Sequence, residues 1–143
     1  MRKSFRLKNI DKMIYKPKYL LSISLLLFCL ACGSDNDSNE QQQQQANELE
    51  LMLAEIVELA SSKVCEDASQ WAFVEYGSKG CGGPVGYIAY STQLDTEAFL
   101  AKVTAYTQAQ QTYIETWQIA SDCSAPAPPA GVMCEDGKAV FLY

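Results

Sequence analysis

The chain has 143 residues, enough for one small domain with appendages, and it contains no histidine. Seven of its eleven basic residues precede Cys32 and sixteen of its seventeen acids follow it, so the part after Cys32 carries a net charge of −12. Such an acidic segment is repelled by nucleic-acid phosphates, and the missing imidazole removes the commonest general base and metal ligand, which argues against a triad hydrolase or a zinc enzyme. At the amino terminus a basic stretch from Arg2 to Lys18 leads into an apolar run over residues 20–31. That run has the length of a signal-peptide core and is too short for a comfortable membrane span. Met13 offers a second possible start within the basic stretch.

The run ends in Cys29-Leu30-Ala31-Cys32-Gly33. This resembles a lipobox, where bacterial lipoproteins receive a diacylglyceryl thioether on cysteine before cleavage. Ala31 supplies the small residue before the cysteine, and Cys29 stands where such proteins usually carry leucine. The resemblance implies a signal peptide over residues 1–31, lipid on Cys32, and a membrane partner through that lipid. More than one acyl chain is needed for firm anchoring. Gly33 after the cysteine resembles the sorting signal for an outer membrane, and Ser34-Asp35-Asn36-Asp37 resembles a surface-export tag. An ordinary secretory signal cut near Ala31 is the alternative.

Residues 33–45 contain no apolar side chain and include five consecutive glutamines. They predict a disordered tether, assigned over residues 32–46 with the anchor, holding the domain roughly 20 Å from the membrane. The folded domain is expected over residues 47–143. Leu49, Met52, Leu53, Ile56, Leu59 and Ala60 recur at helical spacing and predict a helix over 48–62. Aromatic and β-branched residues predict strands over 71–76 and 85–90, joined by a loop with four glycines and Pro84. Asp95 is a candidate cap for a helix to about residue 117, striped by Phe99, Val103, Tyr106, Gln110, Tyr113 and Trp117.

Residues 131–134 and 138–143 read as a closing hairpin around Asp136-Gly137, the signature of a type I′ turn. That register sets Glu135 opposite Lys138 and Cys134 opposite Ala139. Both faces are apolar, so the hairpin is expected to be covered. The order α-β-β-α-β-β predicts an α+β domain, with two helices packed on one face of a small antiparallel sheet and disulfides to stabilise it.

With Cys29 removed and Cys32 acylated, Cys65, Cys81, Cys123 and Cys134 remain. An even set in an exported domain predicts two disulfides. Of three pairings, Cys65–Cys81 and Cys123–Cys134 are favoured because both close short loops, each contributing roughly 3 kcal/mol. No Cys-x-x-Cys spacing points to redox or metal chemistry. No cofactor and no catalytic residue are expected.

The constellation Gly77-x-Lys79-x-Cys81-Gly82-Gly83-Pro84-x-x-Tyr87-x-x-Tyr90, with Ser121-Asp122-Cys123 and Cys134-x-x-Gly137-Lys138, resembles a group of small cysteine-containing bacterial lipoproteins. The resemblance implies no particular activity. Such proteins often carry a cysteine after the final Gly-Lys. Here that position is Ala139, which leaves the partner of Cys134 open.

These features predict a non-catalytic binding or interaction module with an unknown protein partner. Its expected surfaces are the loop carrying Lys79, Gly80, Gly82, Gly83 and Pro84, and residues 124–130. Lys79 would act like an inhibitor's residue, entering an acidic pocket; the plainer reading is a solvated turn residue. The alternatives are an accessory subunit of an envelope assembly, contacting through Tyr76, Tyr87, Tyr90 and Tyr106, and a small enzyme. The acid pairs Glu66/Asp67 and Glu135/Asp136 fit turns better than a cleft.

Overall fold

A computed structural model describes residues 34–143, with side chains from Asp37 onward. The expected signal peptide, Cys29 and Cys32 lie outside the described residues. The chain divides into units Met1–Ser38 and Asn39–Tyr143, and the core, both hairpins and both disulfides belong to the second.

Helix α1 runs Ser34–Ala60. It therefore takes in the glutamine run that was expected to be a disordered tether. Hydropathy indicates only that those residues cannot build a core. Glutamine is nonetheless a good helix former, and i,i+4 side-chain bonds support the turn. The Gln43 amide donates to Asn47 at 2.9 Å and that of Gln44 to Glu48 at 3.2 Å. A tertiary bond adds to this: the Trp117 indole N–H donates to Gln45 Oε1 at 2.7 Å.

After a 3-10 turn at Ala68–Gln70 come β1, Trp71–Tyr76, and β2, Gly86–Ser91. They pair antiparallel with Phe73 opposite Ala89 and Val74 opposite Ile88. Helix α2, Thr96–Trp117, begins at Asp95, whose carboxylate accepts from the Ala98 N–H at 3.1 Å. Strands β3, Gly131–Glu135, and β4, Lys138–Leu142, close the chain. Their register sets Cys134 opposite Ala139 and Glu135 opposite Lys138. Asp136 and Gly137 both have positive φ, 50° and 75°, as a type I′ turn requires.

The strands form two two-stranded sheets, β1-β2 and β3-β4, rather than the one small sheet expected. Each strand pairs only with its hairpin partner. The core is built by Ile56 and Ala60 from α1, Tyr90 from β2, and Phe99, Val103 and Tyr106 from α2. Ala72, Val74, Tyr76 and Ile88 pack against it. Residues two apart on a strand share a face, so the first hairpin offers this face to the core. Tyr90 lies 4.8 Å from Phe99 between ring centroids, and Tyr76 lies 6.3 Å from Tyr106. The opposite face carries Phe73, which meets Tyr87 at 6.0 Å and Phe141 of β4 at 6.2 Å, both edge-on.

The second hairpin is covered on one face only. Met133 is 40% exposed and Leu142 44%. The expectation that both of its apolar faces are buried is therefore corrected: the element count leaves nothing to lie over the outer one.

Candidate functional site

The disulfides join Cys65 to Cys134 and Cys81 to Cys123, with Cα separations of 5.3 and 5.5 Å. All four cysteines are bridged, but neither favoured pairing, Cys65–Cys81 or Cys123–Cys134, is found. The bridges span 69 and 42 residues instead of short loops. Minimal loop closure is a poor guide once packing has already brought distant elements together. On the chain-entropy model such long closures contribute about 4 kcal/mol each.

The Cys81–Cys123 bridge ties together the two loops that the sequence singled out. Gly77 sits at φ +74°, and a Cβ there would meet Gln110 Oε1 at 2.6 Å. The Gly77 N–H donates to Thr107 and the Ser78 N–H to Gln110, fixing the loop on α2. Gly80 also lies close to the chain beyond α2, whereas Gly82 and Gly83 border open space and Pro84 is half-buried.

Lys79 is occupied within this assembly. Its ammonium donates to Asp122 Oδ1 at 3.0 Å, to the Ser124 carbonyl at 2.6 Å and to Ser124 Oγ at 3.2 Å. Its side chain is only 15% exposed. Entry into another protein's pocket would first break these bonds. The Ser124 hydroxyl and the Lys79 ammonium hold the Asp122 carboxyl below the usual carboxylate range.

The other sequence candidates have structural duties. Asp67 caps the 3-10 turn by accepting from the Ser69 N–H, and the Ser69 side chain, followed by that N–H, lowers its pKa. Asp136 occupies the hairpin turn. Tyr90 and Tyr106 belong to the core rather than to a contact surface. Burial, and secondarily Tyr76, pushes the Tyr106 hydroxyl upward. Among the described residues no cluster of metal-ligating side chains occurs, and no helix is long and apolar enough to cross a membrane.

Sequence reasoning missed a cavity of about 470 Å³ between the end of α1, the first hairpin and the β3–β4 turn. Val57, Ala60 and Ser61 contribute from the α1 side. Trp71, Tyr76, Tyr87, Ile88 and Ala89 come from the first hairpin, and Gly137, Ala139 and Phe141 from the second. Lys63 and Lys138 complete the lining.

The second clamp assembles this wall. The Cys65–Cys134 bridge pins the segment after α1 to β3, and the Cys65 N–H donates to the Gly137 carbonyl at 2.8 Å. A Cβ on Gly137 would lie 3.2 Å from Val64, a measure of how closely the segments approach. Lys63, two residues before Cys65, and Lys138, one after Gly137, thus border one cavity. The size suits small-molecule sites, and the aromatic lining with a few polar groups matches their usual chemistry. The sequence signal available was the odd placement of cations on an acidic domain, but 75 residues separate Lys63 from Lys138 and only the fold sets both on one cavity. No protein-family model, curated protein or solved structure matches the chain, so its chemistry is read from its own residues.

Proposed function

We propose that this protein is an exported lipoprotein, acylated on Cys32 and held on the bacterial cell envelope, whose acidic domain is a non-catalytic binding module. The leader architecture, the resemblance of residues 29–33 to a lipobox and the change of charge sign across Cys32 support the anchoring. The α-β-β-α-β-β order, with helices covering one face of the strands, leaves the binding site on the hairpin side. The observation that carries the binding reading is the cavity lined by Trp71, Tyr76, Tyr87 and Phe141. Aromatic walls supply contact area at small entropic cost, and a bridge across 69 residues holds them in place.

Two measurements test this. Radiolabelled palmitate should be incorporated into the full chain and lost in Cys32→Ala, which should also leave the membrane fraction. For the site, Ala89→Trp should fill the cavity and abolish ligand-induced thermal shifts in a small-molecule screen. Retained shifts in that variant would refute this location.

An accessory-subunit role is favoured by a different observation, the bare outer face of the second hairpin with Met133 and Leu142 exposed. Met133→Lys should then release the protein from an envelope complex without altering ligand response.

A further inference from the structure

We infer that the cavity binds a single-headed anionic amphiphile, an apolar chain or ring ending in a carboxylate or phosphate. This rests on the binding-site reading above and specifies its ligand. The inference comes from where the few positive charges lie. Only Lys63, Lys79, Lys102 and Lys138 follow Cys32. Lys79 is paired with Asp122 at 3.0 Å, and Lys102 with Glu55 at 2.8 Å. Among the described residues the remaining two, Lys63 and Lys138, have no ion pair, and both line the cavity.

No acid lines it, although acids outnumber bases sixteen to four after Cys32. Of three other concavities, Glu48 lines the one between the helices and Glu75 the one beside the glycine-rich loop; the third also lacks an acid, but its one lysine, Lys79, is already paired with Asp122. Two lysines without an ion pair thus border an aromatic hollow. An anionic head would meet charge-assisted donors there while its apolar body displaces water from Trp71 and Phe141. The hollow has the volume of one small molecule, so the ligand is a monomeric amphiphile and not a bilayer surface.

The core and both disulfides lie within Asn39–Tyr143, so residues 34–143 retain every contact described and can be titrated without the lipid anchor. The probes are dodecanoate, dodecanol and dodecyltrimethylammonium, below micelle-forming concentrations, followed by calorimetry. Dodecanoate should bind about tenfold more tightly than dodecanol, the summed effect of two partly exposed charge contacts, and the cation should bind least. Added salt should narrow the gap. Lys63→Gln with Lys138→Gln should remove the preference, with dodecanoate affinity falling about tenfold relative to dodecanol affinity. Arginine at both positions should restore it, and Lys102→Gln, a change of net charge elsewhere, should leave it unchanged.

Equal binding of all three probes would overturn the anionic assignment and leave the cavity as the binding site. Binding of none would overturn both. Capture by phosphatidylglycerol vesicles without a response to dodecanoate would overturn the monomeric ligand in favour of a membrane surface.

Discussion

Two disulfide clamps organise this domain, and they use their cations in opposite ways. At Cys81–Cys123 the bridge closes a glycine-rich loop against the segment after α2, and Lys79 is consumed by Asp122 and Ser124. At Cys65–Cys134 the bridge ties the segment after α1 to β3, and Lys63 and Lys138, which make no ion pair among the described residues, line an aromatic hollow. A lone base on a rigid loop attracts attention in the sequence, yet it is the internally satisfied one. Two ordinary-looking lysines, one in the bend after α1 and one at the start of β4, are the ones available to a ligand. The availability of a charge depends on what packing brings beside it.

The largest effect should come from opening the clamp at the cavity. Cys65→Ala with Cys134→Ala removes a 69-residue closure and should lower unfolding free energy by roughly 4 kcal/mol in urea denaturation. Cys65 is buried, 3% exposed, so the alanine pair also leaves unfilled space. The same variant should lose amphiphile binding, because the segment bearing Lys63 is no longer held against the hairpin bearing Lys138. Intact binding in a destabilised protein would show that the two lysines do not depend on the bridge, and would break the contrast.

Opening the loop clamp should matter less. Cys81→Ser with Cys123→Ser releases a 42-residue closure, but the Lys79–Asp122 pair and the Gly77 and Ser78 bonds to α2 still hold the segments together. The loss should fall below the roughly 4 kcal/mol of the other bridge. Amphiphile binding should be unchanged, since neither cysteine lines the cavity. A binding defect equal to that of the first pair would mean that the clamps act as one unit.

These contrasts mark how far the sequence alone could go. The second hairpin was legible to its register because Asp136-Gly137 admits a two-residue turn, and a turn fixes every pairing beyond it. Helix α2 was legible because its cap and stripe are local. Disulfide partners are not a local property: Cys65 meets Cys134 only after the core has set the end of α1 beside β3. The helical glutamine run escaped because hydropathy reports burial rather than propensity, and its tertiary anchor, Trp117, lies 72 residues away. The cavity escaped for the same reason as the bridges. Its walls come from four separated stretches, and none carries a motif.

The smallest effect, and the sharpest test of the loop clamp, is its dependence on pH. The Ser124 hydroxyl, and then Lys79, hold the folded Asp122 carboxyl below its ordinary range. A depressed carboxyl contributes stability that is fully present above its unfolded value, about 3.9, and is lost as pH falls through its lower folded value. Asp122→Asn should therefore lower the melting temperature by a small constant amount from about pH 5 to 8. The gap between the two proteins should begin to close below about pH 4 and vanish only below the lower folded value, where the native carboxyl is also neutral. Over the same range the cavity lining contains no carboxyl to titrate. A dodecanoate affinity that follows the Asp122 transition, rather than the headgroup's own protonation, would therefore join the two clamps that the structure keeps separate.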